Sequence, residues 1–410
     1  MEKKNLITKQ EGLVQFYLFK GDQRSIPSKS MNVFYNKKMR INRDMTSLAI
    51  NAYNQFINPN GLRVIDAMAA SGVGAIRMLK ESQNIEKIYI NDINPTAVEL
   101  IRKNLKLNSL SEKDSNIEVS RKDANFLFNE LSQRYLIQEK PNIWKPNVIS
   151  IDPFGTPNLY LDAAVKLIQK QDGLFCITAT DTAVLFGVRS KACQRKYMAK
   201  PLHNDFCKEI GARILFYFLS RLANFNGIGI KPLLVFYHAH FVRIFGLTYK
   251  NKNKIAENSK LFGYLIHCRN CDYRVPMDCD ILDIPSRCPN CGKAETLDYA
   301  GPLWIGKLHD KKFVKILLKS NRSVTFIQKD KLDKLLSIIA EETNMPISYY
   351  DIHKLSKKLH LTHVPKMEDL LRFIREQGFS ASRTHFEYTA IKTDMDISQL
   401  KEILLEMENS

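Results

Sequence analysis

Between residues 63 and 181 the hydrophobic positions fall in short β-branched runs, separated by longer segments whose apolar residues recur at helical spacing. The runs Arg63–Met68, Lys87–Asp92, Ile117–Asp123, Val148–Phe154 and Gly173–Asp181 predict five strands. Several are nearly unbroken in their apolar character, as strands buried on both faces of a parallel sheet are. The intervening segments Pro95–Asn108 and Pro157–Lys170 have helix length and carry Pro in the first turn, where a missing N–H costs nothing. This alternation predicts a doubly wound α/β domain.

A long apolar helix is expected over Phe206–Phe225, and a β-rich stretch follows at Lys231–Tyr249. The polar run KNKNKIAENSK, from Lys250, has the composition of a linker or loop and places a boundary near residue 255. Beyond it, residues 256–300 hold two cysteine pairs, and residues 301–410 form a smaller α+β region with three short amphipathic helices between Lys329 and Gln377.

With 410 residues and 44% hydrophobic content, the chain can bury more than one core. No apolar run approaches the roughly 20 residues that span a bilayer, and the opening MEKKNLITKQEG lacks a signal-peptide core, so a cytoplasmic protein without a membrane partner is expected. Lys and Arg number 61 against 43 Asp and Glu, a formal charge of +18 that favours a polyanionic partner. Arg189, Lys191, Arg195, Lys196 and Lys200 cluster with no acid among them, a candidate surface for a phosphate backbone. Nothing demands an obligate protein partner.

Candidate chemistry gathers at the predicted strand ends, where ligands of such sheets bind. VIDAMAASGVGAI puts Asp66 at the end of one strand and Gly72 and Gly74 in the following turn, which allows close backbone approach to a nucleotide-like ligand. Asp92 ends the next strand, 26 residues after Asp66, where an acid binding ribose hydroxyls belongs. Asp123 follows the third strand and can hold an adenine amine beside the Ala124 backbone. Nicotinamide and S-adenosylmethionine both suit this arrangement, and each acid also suits a helix cap. The glycine pattern departs from GxGxxG, which favours S-adenosylmethionine.

VISIDPFGTP delivers Asp152 and Phe154 to the end of a fourth strand. An acceptor beside a flat stacking surface suits a planar base whose exocyclic amine must lose a proton. Cys268-x-x-Cys271 and Cys288-x-x-Cys291, with 16 residues between the pairs, have the spacing of a four-thiolate zinc ribbon. Four thiolates leave no open coordination position, so such zinc is structural; Cys279 and His267 stand nearby as spare ligands. Cys176, Cys193 and Cys207 fit small buried hydrophobes.

Several motifs, in order along nearly the whole chain, carry a family resemblance: FYNKKMRINRD (Phe34 to Asp44), DAMAASGVGAIR, YINDINP, DPFGTP, ATDTAVLFGV, KPLHNDFCKEIGARIL, GPLWIGKLHD and SASRTHFEYTAIKTD. The chain resembles the tRNA (guanine-N2)-dimethyltransferases, which methylate the exocyclic amine of guanine-26 with S-adenosylmethionine. The resemblance implies a class I methyltransferase domain over 1–255 with an N-terminal substrate-base segment, a zinc ribbon over 256–300 and a tRNA-binding domain over 301–410. It implies that Arg43 contacts the cofactor carboxylate, Asp92 its ribose, and Asp123 and Ala124 its adenine. Asp152 would accept the proton, with Phe34 and Phe154 sandwiching the base; Phe34 also suits an ordinary core. Arg383, His385 and Lys392 are candidates to touch tRNA outside the target; His385 equally suits a buried, hydrogen-bonded histidine. The family usually carries Arg where this chain has Gly74, and Arg77, one turn on, is the nearest substitute. A methyltransferase for adenine amines and a non-catalytic, zinc-stabilised RNA-binding protein are the alternatives from the residues themselves.

Overall fold

The computed structural model describes residues 5–22, 31–137, 145–278, 284–325 and 327–408. Seven strands form the central sheet: β1 (Leu62–Asp66), β2 (Ile85–Asn91), β3 (Ile117–Ser120), β4 (Val148–Ile151), β5 (Leu174–Ala179), β6 (Gly229–His238) and β7 (Phe241–Tyr249). Their order is β3-β2-β1-β4-β5-β7-β6, with the first five parallel. β7 enters antiparallel against β5 and pairs with β6 as a hairpin. The five parallel strands are those the alternation predicts. β4 and β5 are buried at every position, as strands covered on both faces must be.

The strands stop earlier than the apolar runs. β4 ends at Ile151 and β3 at Ser120, so Asp152 and Asp123 already lie in the turns that leave the sheet. One face is covered by the helix Cys207–Phe225 and its neighbours. The other is covered by the helices Arg40–Phe56 and Val73–Glu81.

Two expectations about the middle of the chain change. The expected linker after Lys250 contains a helix, Lys252–Ser259, capped by Asn251, whose side chain accepts from the Lys254 amide at 3.0 Å. A further helix, Lys311–Ser323, was not anticipated; Asp310 caps it by accepting from the Lys312 and Phe313 amides, both at 2.9 Å. Its buried Phe313, Val314 and Leu317, with Leu332, Leu336 and Ile339 of the helix Lys329–Glu342, share one apolar cluster with Met45 and Leu48 of Arg40–Phe56. That cluster crosses residue 301, where the sequence places a boundary, and returns the chain to the methyltransferase-like half.

Two three-stranded sheets lie beyond residue 260. Phe262–Cys268 pairs antiparallel with Arg274–Asp278 and Leu297–Trp304, and Ala390–Thr393 pairs with Tyr350–Asp351 and Ala381–Arg383. The helices Ile352–Lys358, Met367–Glu376 and Ile397–Glu408 supply an α+β core over the second sheet. Among the described residues no helix is long and apolar enough to cross a membrane.

Candidate active site

β1 and β4 are neighbours that lie on either side of the point where strand order reverses, so the loops at their carboxyl ends diverge and open a crevice. The loop after β1 turns through Ala70 at φ 49° and Gly72 at φ 77°. A Cβ on Gly72 would stand 3.0 Å from the Ile101 side chain, so backbone angle and crowding both call for glycine. Gly72 then caps the helix Val73–Glu81. The Ala70 amide donates to Asp92 Oδ2 and the Asn94 amide to Asp92 Oδ1, both at 2.8 Å, so Asp92 ties the ends of β1 and β2 together. Burial raises the Asp92 carboxyl.

Phe34, Asn42, Arg43, Asp66, Asp152 and Arg243 line a common cavity in this crevice, with Gly74 at its wall. A Cβ at Gly74 would lie 3.5 Å from Asp66 Oδ2. A side chain there would meet that carboxylate directly. Burial, reinforced by the Asp152 carboxylate, pushes Asp66 up to about 7 against the opposing charge of Arg243. Burial likewise raises Asp152, while Arg243, the Thr178 hydroxyl, Arg43 and His240 pull it back. Asp152 Oδ2 accepts from Asn42 Nδ2 at 3.1 Å. The DPFG turn is clamped to the segment after β5, because the Gly155 amide donates to Thr180 Oγ1 at 2.7 Å and the Thr180 amide to the Gly155 carbonyl at 2.9 Å.

Phe34 and Phe154 are adjacent, with ring centroids 5.6 Å apart and planes at 75°. They meet edge to face. A base between two parallel rings needs roughly 7 Å, twice the stacking rise of about 3.4 Å, so one ring must swing for the expected sandwich to form. Phe154 is the more exposed, at 57%.

Asp123 is exposed and caps the helix Ala124–Ile137, its Oδ1 accepting from the Asn125 and Phe126 amides at 2.9 and 3.2 Å. Ala124 is buried beside it. The exposed side chains of Ile93 and Phe126 follow Asp92 and Asp123 at the same sheet edge, apolar surface the sequence did not single out.

Arg43 is already engaged: its Nε and Nη2 donate to the two oxygens of Glu11 at 2.6 and 2.7 Å. Arg77 is not a substitute for a pocket arginine. It is 1% exposed and ion-paired to Glu81 at 2.8 Å, Glu11 at 2.9 Å and Asp44 at 2.6 Å, behind the pocket. Although burial works to raise it, Arg43 and Arg77 hold the Glu11 carboxyl down at about 2. Glu11 comes from an N-terminal hairpin, Leu6–Glu11 with Val14–Phe19, anchored by the Tyr17 amide donating to Asn104 Oδ1 at 2.6 Å. Glu11, Asn42, Thr178 and Arg243 escaped the sequence reading. For Asn42 the only signal was adjacency to Arg43; for the others there was none.

Two expected tRNA contacts are corrected by burial. Lys392 is buried and donates to Glu209 Oε2 at 2.7 Å, where Arg213 also pairs with Glu209 at 2.8 Å, so it holds the α+β region to the helix Cys207–Phe225. His385 Nδ1 hydrogen-bonds Glu342, while its Nε2 accepts from the Tyr237 amide at 3.3 Å. That acceptor role fixes the proton on Nδ1, so the His309, Glu342 and His385 group is a hydrogen-bonded core cluster without a free nitrogen for metal at His385. Arg383 is half-buried and donates to the Tyr388 carbonyl at 3.0 Å. In the basic stretch, Arg189, Lys191 and Arg195 are exposed, Lys196 pairs with Asp181 at 3.5 Å and Lys200 with Asp298 at 2.6 Å.

The four cysteine sulfurs converge, Cys268 with Cys291 at 3.8 Å and Cys271 with Cys288 at 3.7 Å. Zinc–thiolate bonds of about 2.3 Å give tetrahedral edges of about 3.8 Å, so the donor set fits that ion. His267 faces Asp272 at 3.7 Å, and Cys279 lies outside the described residues. Cys176 and Cys193 are buried as expected, and Cys207 is half-buried.

The family model for N2,N2-dimethylguanosine tRNA methyltransferase matches residues 17–405. The chain belongs to this family. It is 35% identical to a tRNA (guanine(26)-N(2))-dimethyltransferase of Methanosphaera stadtmanae, over 97% of this chain and 96% of that protein. A tRNA (guanine(26)-N(2)/guanine(27)-N(2))-dimethyltransferase of Aquifex aeolicus is 33% identical over 93% of the chain and 91% of its own length. The solved structure of Trm1 from Pyrococcus horikoshii with S-adenosyl-L-methionine superposes with a TM-score of 0.81 at 31% identity, covering 97% of this chain and 99% of that one. The doubly wound α/β expectation agrees with that match and with the sheet order, and membership in the N2,N2-dimethylguanosine family bears out the resemblance drawn from the motifs.

Proposed function

We propose that this protein transfers methyl groups from S-adenosylmethionine to the exocyclic N2 of guanine-26 in tRNA, giving mono- and dimethylguanosine, with Asp152 as the proton acceptor. The observation that carries the reading is the pocket in which Asp152 and Phe34, with Phe154 against Phe34, meet the turn after Asp66 at the sheet's switch point. Family membership over nearly the whole chain supports the substrate.

The residues fit a cationic nucleoside cofactor. A buried carboxylate, Asp66, and a half-buried one, Asp152, face a cavity with Gly74 in its wall, and Asp92 stands beyond it on the same edge. Asp66, the Gly72 turn, Arg43 and Asp92 would hold the cofactor, and Asp123 with Ala124 its adenine. When bound, S-adenosylmethionine supplies an electrophilic methyl on a positively charged sulfur. Guanine N2 is a poor nucleophile because its lone pair is delocalised into the ring, so the protein must orient the base and receive an N–H proton. Phe34 and Phe154 fix the plane of the base, and Asp152 Oδ accepts the hydrogen. A monomethylated amine still carries one N–H, so the same acceptor serves a second transfer.

Four cysteine sulfurs, all within 4.8 Å of one another, support structural zinc in the ribbon, where metal would hold them as thiolates. Metal analysis is expected to find about one zinc per chain, and chelation to lower the melting temperature; a metal-free preparation with the same melting curve sinks this part of the reading. Incubation of the protein with unmodified tRNA and labelled S-adenosylmethionine, followed by nucleoside mass spectrometry, tests the activity. Label in N2-methylguanosine and N2,N2-dimethylguanosine is expected. Label in an adenosine, or none, overturns the assignment.

A further inference from the structure

Arg243 lies in the pocket wall, 2% exposed, yet its hydrogen bonds go to hydroxyls and not to a carboxylate. Nη1 donates to Thr178 Oγ1 at 2.6 Å, Nη2 donates to Thr46 Oγ1 at 2.9 Å, and Nε is buried with no partner among the described residues. A buried guanidinium without a direct counter-ion is costly to keep, so the charge calls for a compensating role. Its position is set by the sheet: Arg243 on β7 stands directly across from Thr178 on β5. The antiparallel strand thus delivers a cation to the floor of a pocket built by parallel ones.

Thr178 Oγ1 also accepts from Asn42 Nδ2 at 3.3 Å, and the same Asn42 nitrogen donates to Asp152 Oδ2 at 3.1 Å. Arg243 and Asn42 thus meet at the Thr178 hydroxyl, and Asn42 carries the contact on to Asp152; the Arg243 charge and the Thr178 hydroxyl both favour the ionised form of Asp152. A single chain of contacts therefore runs from Arg243 through Thr178 and Asn42 to the acceptor. We propose that Arg243 is a positioning residue for methyl transfer: acting through Thr178, it keeps Asp152 ionised and aimed so that it can take the amine proton. The inference rests on the reading of Asp152 given above and goes beyond it by assigning what holds that group ready.

The groups facing Asp152 come from every side. Asp66 on β1 opposes ionisation, while Arg43 of the helix Arg40–Phe56 and His240 in the β6–β7 turn favour it. Arg43 is committed to Glu11, and burial disfavours the charged form of His240. Arg243 is the permanent cation in this set with no carboxylate bonded to it.

The test is single-turnover transfer of labelled methyl to tRNA by the full-length protein, from pH 5.5 to pH 9, for wild type, Arg243→Met, Arg243→Lys and Thr178→Val. In Arg243→Met the acid limb is expected to move up by about one pH unit, which is about a tenfold loss at each pH on the limb, recovering to within about threefold of wild type on the alkaline plateau. Arg243→Lys returns the limb toward the wild-type position, and Thr178→Val shifts it in the same direction as Arg243→Met by a smaller amount. A rate reduced by the same factor at every pH, with the limb unmoved, overturns the proposal and leaves Arg243 a strand-to-strand tie. Should Arg243→Met fail to fold, an unmoved limb in Thr178→Val overturns the relay equally. Inactive wild type sinks the proposed function; active wild type with unmoved limbs in the variants sinks this inference alone.

Discussion

Asp152→Asn is expected to slow single-turnover methyl transfer by roughly 10²–10⁴-fold, the range associated with losing a positioned general base. Asparagine keeps the size and the oxygen that accepts from Asn42 Nδ2, so the pocket keeps its shape while the proton acceptor is lost. The pH profile separates this outcome from damage. Burial raises the Asp152 carboxyl, so in wild type the reactive ionised form is depleted as pH falls and the rate has an acid limb. The Asn variant has no carboxyl to titrate at that position, and its residual rate loses the part of the limb that Asp152 causes. A loss below tenfold, or an unchanged limb, removes Asp152 from the role of acceptor.

Arg77→Met is expected to lower stability by about 3–5 kcal/mol, the cost of breaking a buried ion pair and leaving its partners uncompensated, and the melting temperature by on the order of 5–10 °C. Arg77 is the shared cation of Glu11, Glu81 and Asp44, all of them buried, and Met fills the volume without the charge. The sign of the pH effect follows from Glu11. Its carboxyl is held at about 2 in the folded protein against a reference value of 4.5, so its contribution is complete above about 4.5 and is lost as pH falls from there toward about 2. Removing Arg77 relaxes that depression, and acid unfolding begins at higher pH in the variant. Melting curves at pH 3 to 7 measure both effects; a shift of less than about 2 °C at pH 7 means that the network contributes little.

What the sequence made legible was local. Five parallel strands could be read because each is a short apolar run bounded by turn residues, and their carboxyl-end acids could be read because Asp66 ends such a run while Asp92, Asp123 and Asp152 stand in the turns just beyond. The four cysteines were legible for the same reason, since CxxC spacing is itself the ligand geometry. What stayed hidden depends on residues distant in the chain. Glu11 matters through Arg43 and Arg77, 32 and 66 positions away, and Arg243 through Thr178, 65 positions away. Lys392 and His385 sit in a basic-looking motif that suggests tRNA contacts, but Glu209 and Glu342, far upstream, draw them into the interior. The edge-to-face geometry of Phe34 and Phe154 likewise belongs to packing and has no sequence signal.

The helices Lys311–Ser323 and Lys329–Glu342 lie after the cysteine module in the chain but pack beneath Arg40–Phe56, and between the second helix's start and that layer the Gln328 amide donates to Asp44 at 3.0 Å. The polypeptide is consequently buckled back over its own beginning. Cutting it at residue 255 or 300 would not free a self-sufficient catalytic half: the severed piece would bare Met45 and Leu48 to water and deprive Asp44 of a donor. Evolution or engineering can exchange the outlying modules only by leaving this buckle in place.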